Sequence, residues 1–179
     1  MDKYTKLKTV EDLNNWLGRN YAKEQLEYIQ EEANNPDSPL YFYFGEGYRA
    51  INQYLRKNLE KSQNDYDIEG LQKMICSFST TENLVAYRYI SPEEFFVLTQ
   101  NTYSEKEYVY PCFMSTTLLK KLYSIKQIKR ERVLIKIRIP KGTHGMYIPD
   151  IFPDSPEYEF LLPYRIKLKR KGLKSFIVV

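Results

Sequence analysis

Residues 157–163 read Glu-Tyr-Glu-Phe-Leu-Leu-Pro, two carboxylates two positions apart at the head of an apolar run. Side chains alternate along a strand, so this spacing predicts Glu157 and Glu159 on one face and Tyr158, Phe160 and Leu162 on the other. Adjacent like charges are unfavourable unless a cation sits opposite them. Two upstream stretches supply the remaining pieces: Arg88 within Val85-Ala86-Tyr87-Arg88-Tyr89-Ile90, and the hydroxyl run Ser115-Thr116-Thr117 after Phe113-Met114.

The 179 residues fit one domain with one sizeable core, and no stretch has the composition of a linker. Seventeen Tyr and nine Phe against seven Gly argue for a packed fold over extended disorder. The net charge of +4 suits an anionic ligand such as a dinucleotide, but is too mild to announce nucleic-acid binding. Two cysteines, Cys76 and Cys112, make no disulfide framework and read as buried thiols. One histidine, His144, with no Cys-x-x-Cys or His-Glu-x-x-His spacing, argues against a metal enzyme. No apolar run is long enough to span a bilayer, and the charged N-terminus lacks a secretory signal.

The first 80 residues read mainly as helix. Thr9 followed by Asp12 marks a helix start, with Leu13, Trp16 and Leu17 at helical spacing. Further periodic segments run from about Ala22 to Ala33, from after Gly47 through Ile51, Tyr54, Leu55 and Leu59, and from about Ile68 to Phe78. From residue 84 the texture is short β runs, at 84–90, 111–117, 133–139, 146–148, 158–162, 164–168 and 175–179, with Ser91-Pro92 opening one short helix. Helices first and strands later predict a single α+β domain over 1–179, with N-terminal helices packed on a mostly antiparallel β core. The glycines at 45 and 47 do not form a dinucleotide fingerprint, so a Rossmann domain is not supported.

Arginine, Ser-Thr-Thr and Glu-x-Glu in that order resemble the signature of the bacterial mono-ADP-ribosyltransferase toxins. Three further stretches also match in order: Trp16-Leu17-Gly18 with Tyr21, Tyr43 to Arg56 with its Tyr48 and Ile51-Asn52, and Lys141-Gly142-Thr143 to Tyr147-Ile148. The size is similar to that of the Rho-modifying clostridial exoenzymes, whereas Glu-x-Glu resembles the arginine-specific members. The resemblance implies the mono-ADP-ribosyltransferase fold, a two-sheet core with an NAD cleft, and NAD as co-substrate without a metal. Arg88 and Arg56 then contact phosphate, which a planar guanidinium pairs through parallel hydrogen bonds. Tyr43, Tyr48, Asn52, Ser115, Thr116 and Thr117 border the cofactor, and Ser115 hydrogen-bonds the catalytic Glu159. Breaking the ribose–nicotinamide bond builds oxocarbenium character, which the Glu159 carboxylate stabilises, while Glu157 aligns the incoming nucleophile. The acceptor loop falls on Phe152, Asp154 and Glu157, with Asp154 where relatives carry an aromatic. Tyr123 and Arg130 or Arg132 are candidates for a loop over the NAD.

The partner implied is a protein presenting an arginine: actin, a small GTPase or a bacterial protein. The expected molecule is a monomer, secreted or delivered into a target cell. Two other readings stand beside this one. Water as acceptor makes the chain an NAD glycohydrolase. Arg165, Lys167 and Lys169 alternating on one strand face, extended by Arg170, Lys171 and Lys174, motivate a non-enzymatic basic binding module. Each piece also has a plain structural reading: Arg88 as a snorkelling side chain, Tyr43 and Tyr48 as core or rim aromatics, the two glutamates as a solvated strand face.

Overall fold

The structure is a computed structural model that describes residues 3–57, 67–120, 132–149 and 157–179. Helix α1 (Val10–Asn20) starts at a capping box in which Thr9 and Asp12 satisfy each other's backbone N–H groups. It is followed by α2 (Lys23–Asn34) and the short α3 (Pro39–Phe42), opened by Ser38 with Pro39 in the first turn. A π-helical turn (Tyr43–Gly47), kinked at Gly45, leads into α4 (Tyr48–Lys57), and α5 (Ile68–Cys76) follows. Leu59 lies outside the described residues. The second half holds β1 (Leu84–Ile90), α6 (Pro92–Asn101), a 3-10 turn (Tyr103–Glu105), β2 (Tyr108–Val109), β3 (Met114–Thr117) and β4 (Val133–Ile139). It ends in β5 (Met146–Tyr147), β6 (Glu159–Leu162), β7 (Lys167–Gly172) and β8 (Ser175–Val178).

The expected α+β architecture is present, but the two-sheet description needs a correction. Hydrogen bonding runs through one eight-stranded order, β2-β7-β8-β4-β1-β3-β6-β5, antiparallel except for β4 against β8. The join in its middle is narrow. β1 pairs with β4 over seven residues but with β3 only at Tyr87 and Thr117. One matched pair leaves the two flanks free to twist relative to each other.

Two apolar clusters cover the sheet. Leu84, Ala86, Ile90, Ile135, Ile137 and Ile139 pack with Leu13, Trp16 and Leu98 from α1 and α6. Phe113, Met146 and Leu161 pack with Ile29, Leu40, Tyr43, Ile51, Leu71 and Ile75 from the other helices. β6 sits between the two clusters: Phe160 and Leu162 enter the first and Leu161 the second, so all four of its residues are buried. At about 25 cal/mol per Å² of apolar surface, each such side chain contributes roughly 1.5–3 kcal/mol, ample to hold a polar residue on the same strand out of water.

Three local readings change. The strand expected at 164–168 begins at Lys167, because Arg165 adopts a left-handed φ of 63° in the preceding turn. Cys112 is buried as expected, but Cys76 is only half-buried. The basic stripe dissolves: Arg165 is in that turn, and Lys167 and Lys169 both pair with Glu107, each at 3.2 Å.

Candidate active site

Glu159 opens β6 opposite Thr117, and Ser115 lies opposite Leu161. Directly paired antiparallel residues share a face, and so do residues two apart, so Ser115 and Glu159 stand on one side of the β3/β6 pair. The strand does not continue back to Glu157. Tyr158 adopts φ 46°, a left-handed conformation that a bulky residue enters only under constraint, and the alternation predicted for 157–162 stops there. Glu159 is therefore buried at 6% exposure while Glu157 is exposed, and the two carboxylates do not share a strand face.

Burial pushes the Glu159 carboxyl up to about 7; the hydrogen bond from Ser115 and the charge of Arg88 pull it down, and the Glu157 charge adds to the rise. Arg88, on β1, crosses the narrow join. One of its guanidinium nitrogens donates to the Ser115 carbonyl at 2.6 Å. Another lies 3.8 Å from the Glu94 carboxylate, which also faces Arg56 at 3.9 Å. The Tyr110 hydroxyl donates to the same carboxylate at 2.5 Å. Glu94 thus holds two guanidinium groups beside the β3/β6 pair.

The remaining expected residues divide into two groups. Asn52 on α4 donates to the Tyr43 hydroxyl at 3.3 Å. Tyr43 is buried at 3%, its hydroxyl pKa raised chiefly by that burial and further by the Glu159 charge. Tyr48 is exposed and meets Tyr43 edge to face, with ring centroids 6.5 Å apart. Gly47 permits this arrangement, since a Cβ there would stand 2.5 Å from the Phe42 carbonyl oxygen. The two threonines face inward. Thr116 donates to the Phe160 carbonyl at 2.6 Å and the Thr117 hydroxyl accepts from the Leu119 N–H at 3.3 Å, both in buried settings, so they brace β3 against β6 and the following turn. Phe152, Asp154, Tyr123 and Arg130 lie outside the described residues; Arg132 is exposed just before β4.

Sequence reasoning missed Glu94, Tyr110 and Cys112. Glu94 was visible as the last residue of a Ser-Pro-Glu-Glu helix start, third in the helix, where a carboxylate ordinarily turns back to the cap. Here its backbone N–H donates to the capping Ser91 hydroxyl while its carboxylate goes to the arginines. Cys112 donates its thiol to the Asn52 carbonyl at 3.3 Å and so ties α4 to the strand that carries Ser115.

Two buried polar atoms in this region have no protein partner, Arg88 Nε and Asn52 Oδ1. A free guanidinium donor and a free amide acceptor fit a polar ligand carrying phosphate and hydroxyl groups. Among the described residues no group of three or more His, Cys, Asp or Glu is placed to hold a metal ion.

The fold is similar to that of the ADP-ribosylating toxin BECa of Clostridium perfringens, solved with NADH, with a TM-score of 0.73 and 20% identity over 98% of this chain and 49% of that one. It is also similar to the Clostridium limosum C3 exoenzyme (TM-score 0.70, 17% identity, covering 99% of this chain and 96% of that one). The C3stau2 structure from Staphylococcus aureus, solved with NAD, matches with a TM-score of 0.64 and 16% identity over 99% of each chain. Among curated proteins, an NAD(+)–arginine ADP-ribosyltransferase of Enterococcus faecalis is 28% identical over 134 residues, 70% of this chain. The chain spans only 26% of that relative's length. The family model described as ADP-ribosyltransferase exoenzyme matches residues 8–176, which include Arg88, Ser115, Glu157 and Glu159. The chain belongs to the ADP-ribosyltransferase exoenzyme family.

Proposed function

We propose that this chain is a mono-ADP-ribosyltransferase that takes NAD as co-substrate, releases nicotinamide and transfers ADP-ribose to an arginine side chain of a target protein. The observation that carries the reading is the buried Glu159, hydrogen-bonded by Ser115, within the field of Arg88 and flanked by an exposed Glu157. NAD supplies a cationic nicotinamide leaving group on a ribose that becomes electron-poor as the bond breaks. Glu159 provides the negative charge facing that ribose, fixed on a strand packed from both sides, so little reorganisation is needed when charge develops. Arg88 and Arg56 hold the diphosphate, with Arg88 Nε and Asn52 Oδ1 offering the free hydrogen-bonding capacity.

Glu157 stands at the solvent side of the same strand entry, where an acceptor guanidinium reaches it and is held for attack on the ribose. The arginine acceptor is supported by the printed activity of the Enterococcus faecalis relative and by the Glu-x-Glu arrangement. The target is taken to be a protein of a cell into which this one is delivered, in keeping with the exoenzyme and toxin names of its structural neighbours.

The test is nicotinamide release with and without agmatine, beside incorporation of labelled ADP-ribose into lysate protein. Glu159→Gln should lower both activities by about 100-fold or more. Glu157→Gln should abolish transfer to agmatine and leave slow hydrolysis. Wild-type transfer by Glu157→Gln removes the arginine acceptor, and full hydrolysis by Glu159→Gln removes the catalytic assignment. Hydrolysis with no transfer to any guanidine or protein in the wild type makes the chain an NAD glycohydrolase.

A further inference from the structure

A second concave site lies over β1, β4 and β8, on the face of β1 opposite Arg88. Tyr87 is the cross-strand partner of Lys136, and Lys136 of Ser175, which sets these three in one row across β1, β4 and β8. Arg88 follows Tyr87 on β1 and so projects from the opposite face. The row forms the floor of a cavity of about 400 Å³, bounded further by Lys6, Lys120, Lys174, Leu134 and Ile135. That volume is within the range of small-ligand sites.

Its electrostatics are one-sided. Four lysines line it, Lys6, Lys120, Lys136 and Lys174, and among the described residues none of them makes an ion pair with a carboxylate. Burial lowers the Lys136 pKa, and Arg138, Lys6 and Lys120 lower it further, the signature of ammonium groups crowded without a counter-charge. Two of them are tied together through the backbone: the Lys136 N–H donates to the Lys174 carbonyl at 2.9 Å. Ser175, 92% buried by its 8% exposure, has a hydroxyl without any partner. Like charges held together beside an unspent donor are costly unless an anion completes them. The apolar side chains of Tyr87 and Leu134 shield that anion from water on one side and strengthen each contact.

We propose that this groove binds a compact oligophosphate, either free or as the headgroup of a phosphorylated lipid. One phosphate answers one or two ammonium groups, so four lysines around about 400 Å³ call for two or more phosphates on one small framework. The site shares no residue with the Arg88–Ser115–Glu159 cluster.

The experiment is calorimetric titration of the whole chain with inorganic tripolyphosphate at near-physiological salt. The expected result is one binding site, weakened about tenfold or more in Lys6→Gln/Lys136→Gln. Lys6→Gln alone, at an exposed position, should weaken binding measurably without touching the sheet, and Ser175→Ala should weaken it less. The charge-matched control Lys167→Gln/Lys169→Gln should bind as the wild type does. Arg56→Gln, in the other cleft, should also leave it unchanged. No binding by the wild type, equal loss in the Lys167/Lys169 control, or loss in Arg56→Gln overturns the proposal. Vesicles of phosphatidylcholine carrying phosphatidylinositol bisphosphate or, at matched charge, phosphatidylserine distinguish the sources. Capture by the former alone, reversed by tripolyphosphate, assigns a lipid headgroup; tripolyphosphate binding without vesicle capture assigns a free ligand. Nicotinamide release by Lys6→Gln/Lys136→Gln should stay at the wild-type rate, so that failure here is separable from failure of the transferase reading.

Discussion

Ser115→Ala tests how the site keeps a buried carboxylate charged. Burial sets the Glu159 carboxyl at about 7, and the Ser115 hydroxyl is the first influence opposing that rise. A hydrogen bond to a charged group contributes about 1.5–3 kcal/mol, which corresponds to roughly 1–2 pH units on the carboxyl it stabilises. If the carboxylate is the working form, wild-type kcat/KM for nicotinamide release has an acid limb near pH 7, since that parameter reports the free enzyme. Ser115→Ala should move the limb up by roughly 1–2 units, so that the rate at neutral pH falls about 5- to 50-fold and recovers in alkali. Stability carries the same sign. The folded carboxyl holds its proton between its ordinary 4.5 and about 7 while the unfolded one has lost it, so stability falls as pH rises through that window. The loss amounts to about 3 kcal/mol, complete above the folded value. In the variant the decline should extend further into alkali. The assay is a pH series of initial rates beside thermal unfolding at each pH. A variant whose rate falls equally at every pH, with its limb still near 7, refutes the reasoning: Ser115 would then act by geometry and not through the carboxyl's ionisation.

Glu157→Gln should move the same acid limb downward, because it removes a charge that raises Glu159; a limb that stays in place would separate the two carboxylates electrostatically. Glu94→Gln takes away the carboxylate shared by Arg88, Arg56 and Tyr110, and should raise the KM for NAD more than it lowers kcat. The same variant should lose about 1–3 kcal/mol of stability in denaturant titration, and an unchanged KM would free the arginines from dependence on Glu94. Gly47→Ala puts a Cβ against the Phe42 backbone and should cost about 1–3 kcal/mol while disturbing the Tyr43–Tyr48 contact, measurable as a lower midpoint and weaker NAD binding.

The fold was legible where local rules and tertiary context agree. Thr9 with Asp12, and Ser91 with Pro92, mark helix starts that the backbone adopts, and the alternating runs at 84–90 and 133–139 coincide with β1 and β4. It was illegible where the chain leaves the standard regions of φ/ψ space. Tyr158 and Arg165 both take positive φ, which their residue types give no reason to expect, and each ends a strand that periodicity alone would have extended. Two-sided burial was written in the sequence in a weaker form. Phe160-Leu161-Leu162 is an unbroken apolar run, which suits a strand covered on both faces and conflicts with a half-solvated one.

The candidate site shows the same division for a different reason. Arg88, Ser115 and Glu159 could be named because their order along the chain matches a family signature, and the structure brings them together through hydrogen bonding and charge. Glu94 could not, because what distinguishes it from the other acidic residues is a place in space. It must lie between a guanidinium from β1 and one from α4, with a tyrosine hydroxyl from the segment before β3. The distinction has an energetic consequence that a list of charges does not contain. Arg88 is shared with Glu94, so it does not fully neutralise Glu159, and burial prevails over its attraction in setting that carboxyl at about 7. With Glu94 neutralised, Arg88 should pull Glu159 further toward ionisation and the pH limb should fall. The direction of that shift in Glu94→Gln, downward and accompanied by a higher KM, is a joint outcome that neither a purely structural role for Glu94 nor a direct catalytic one produces.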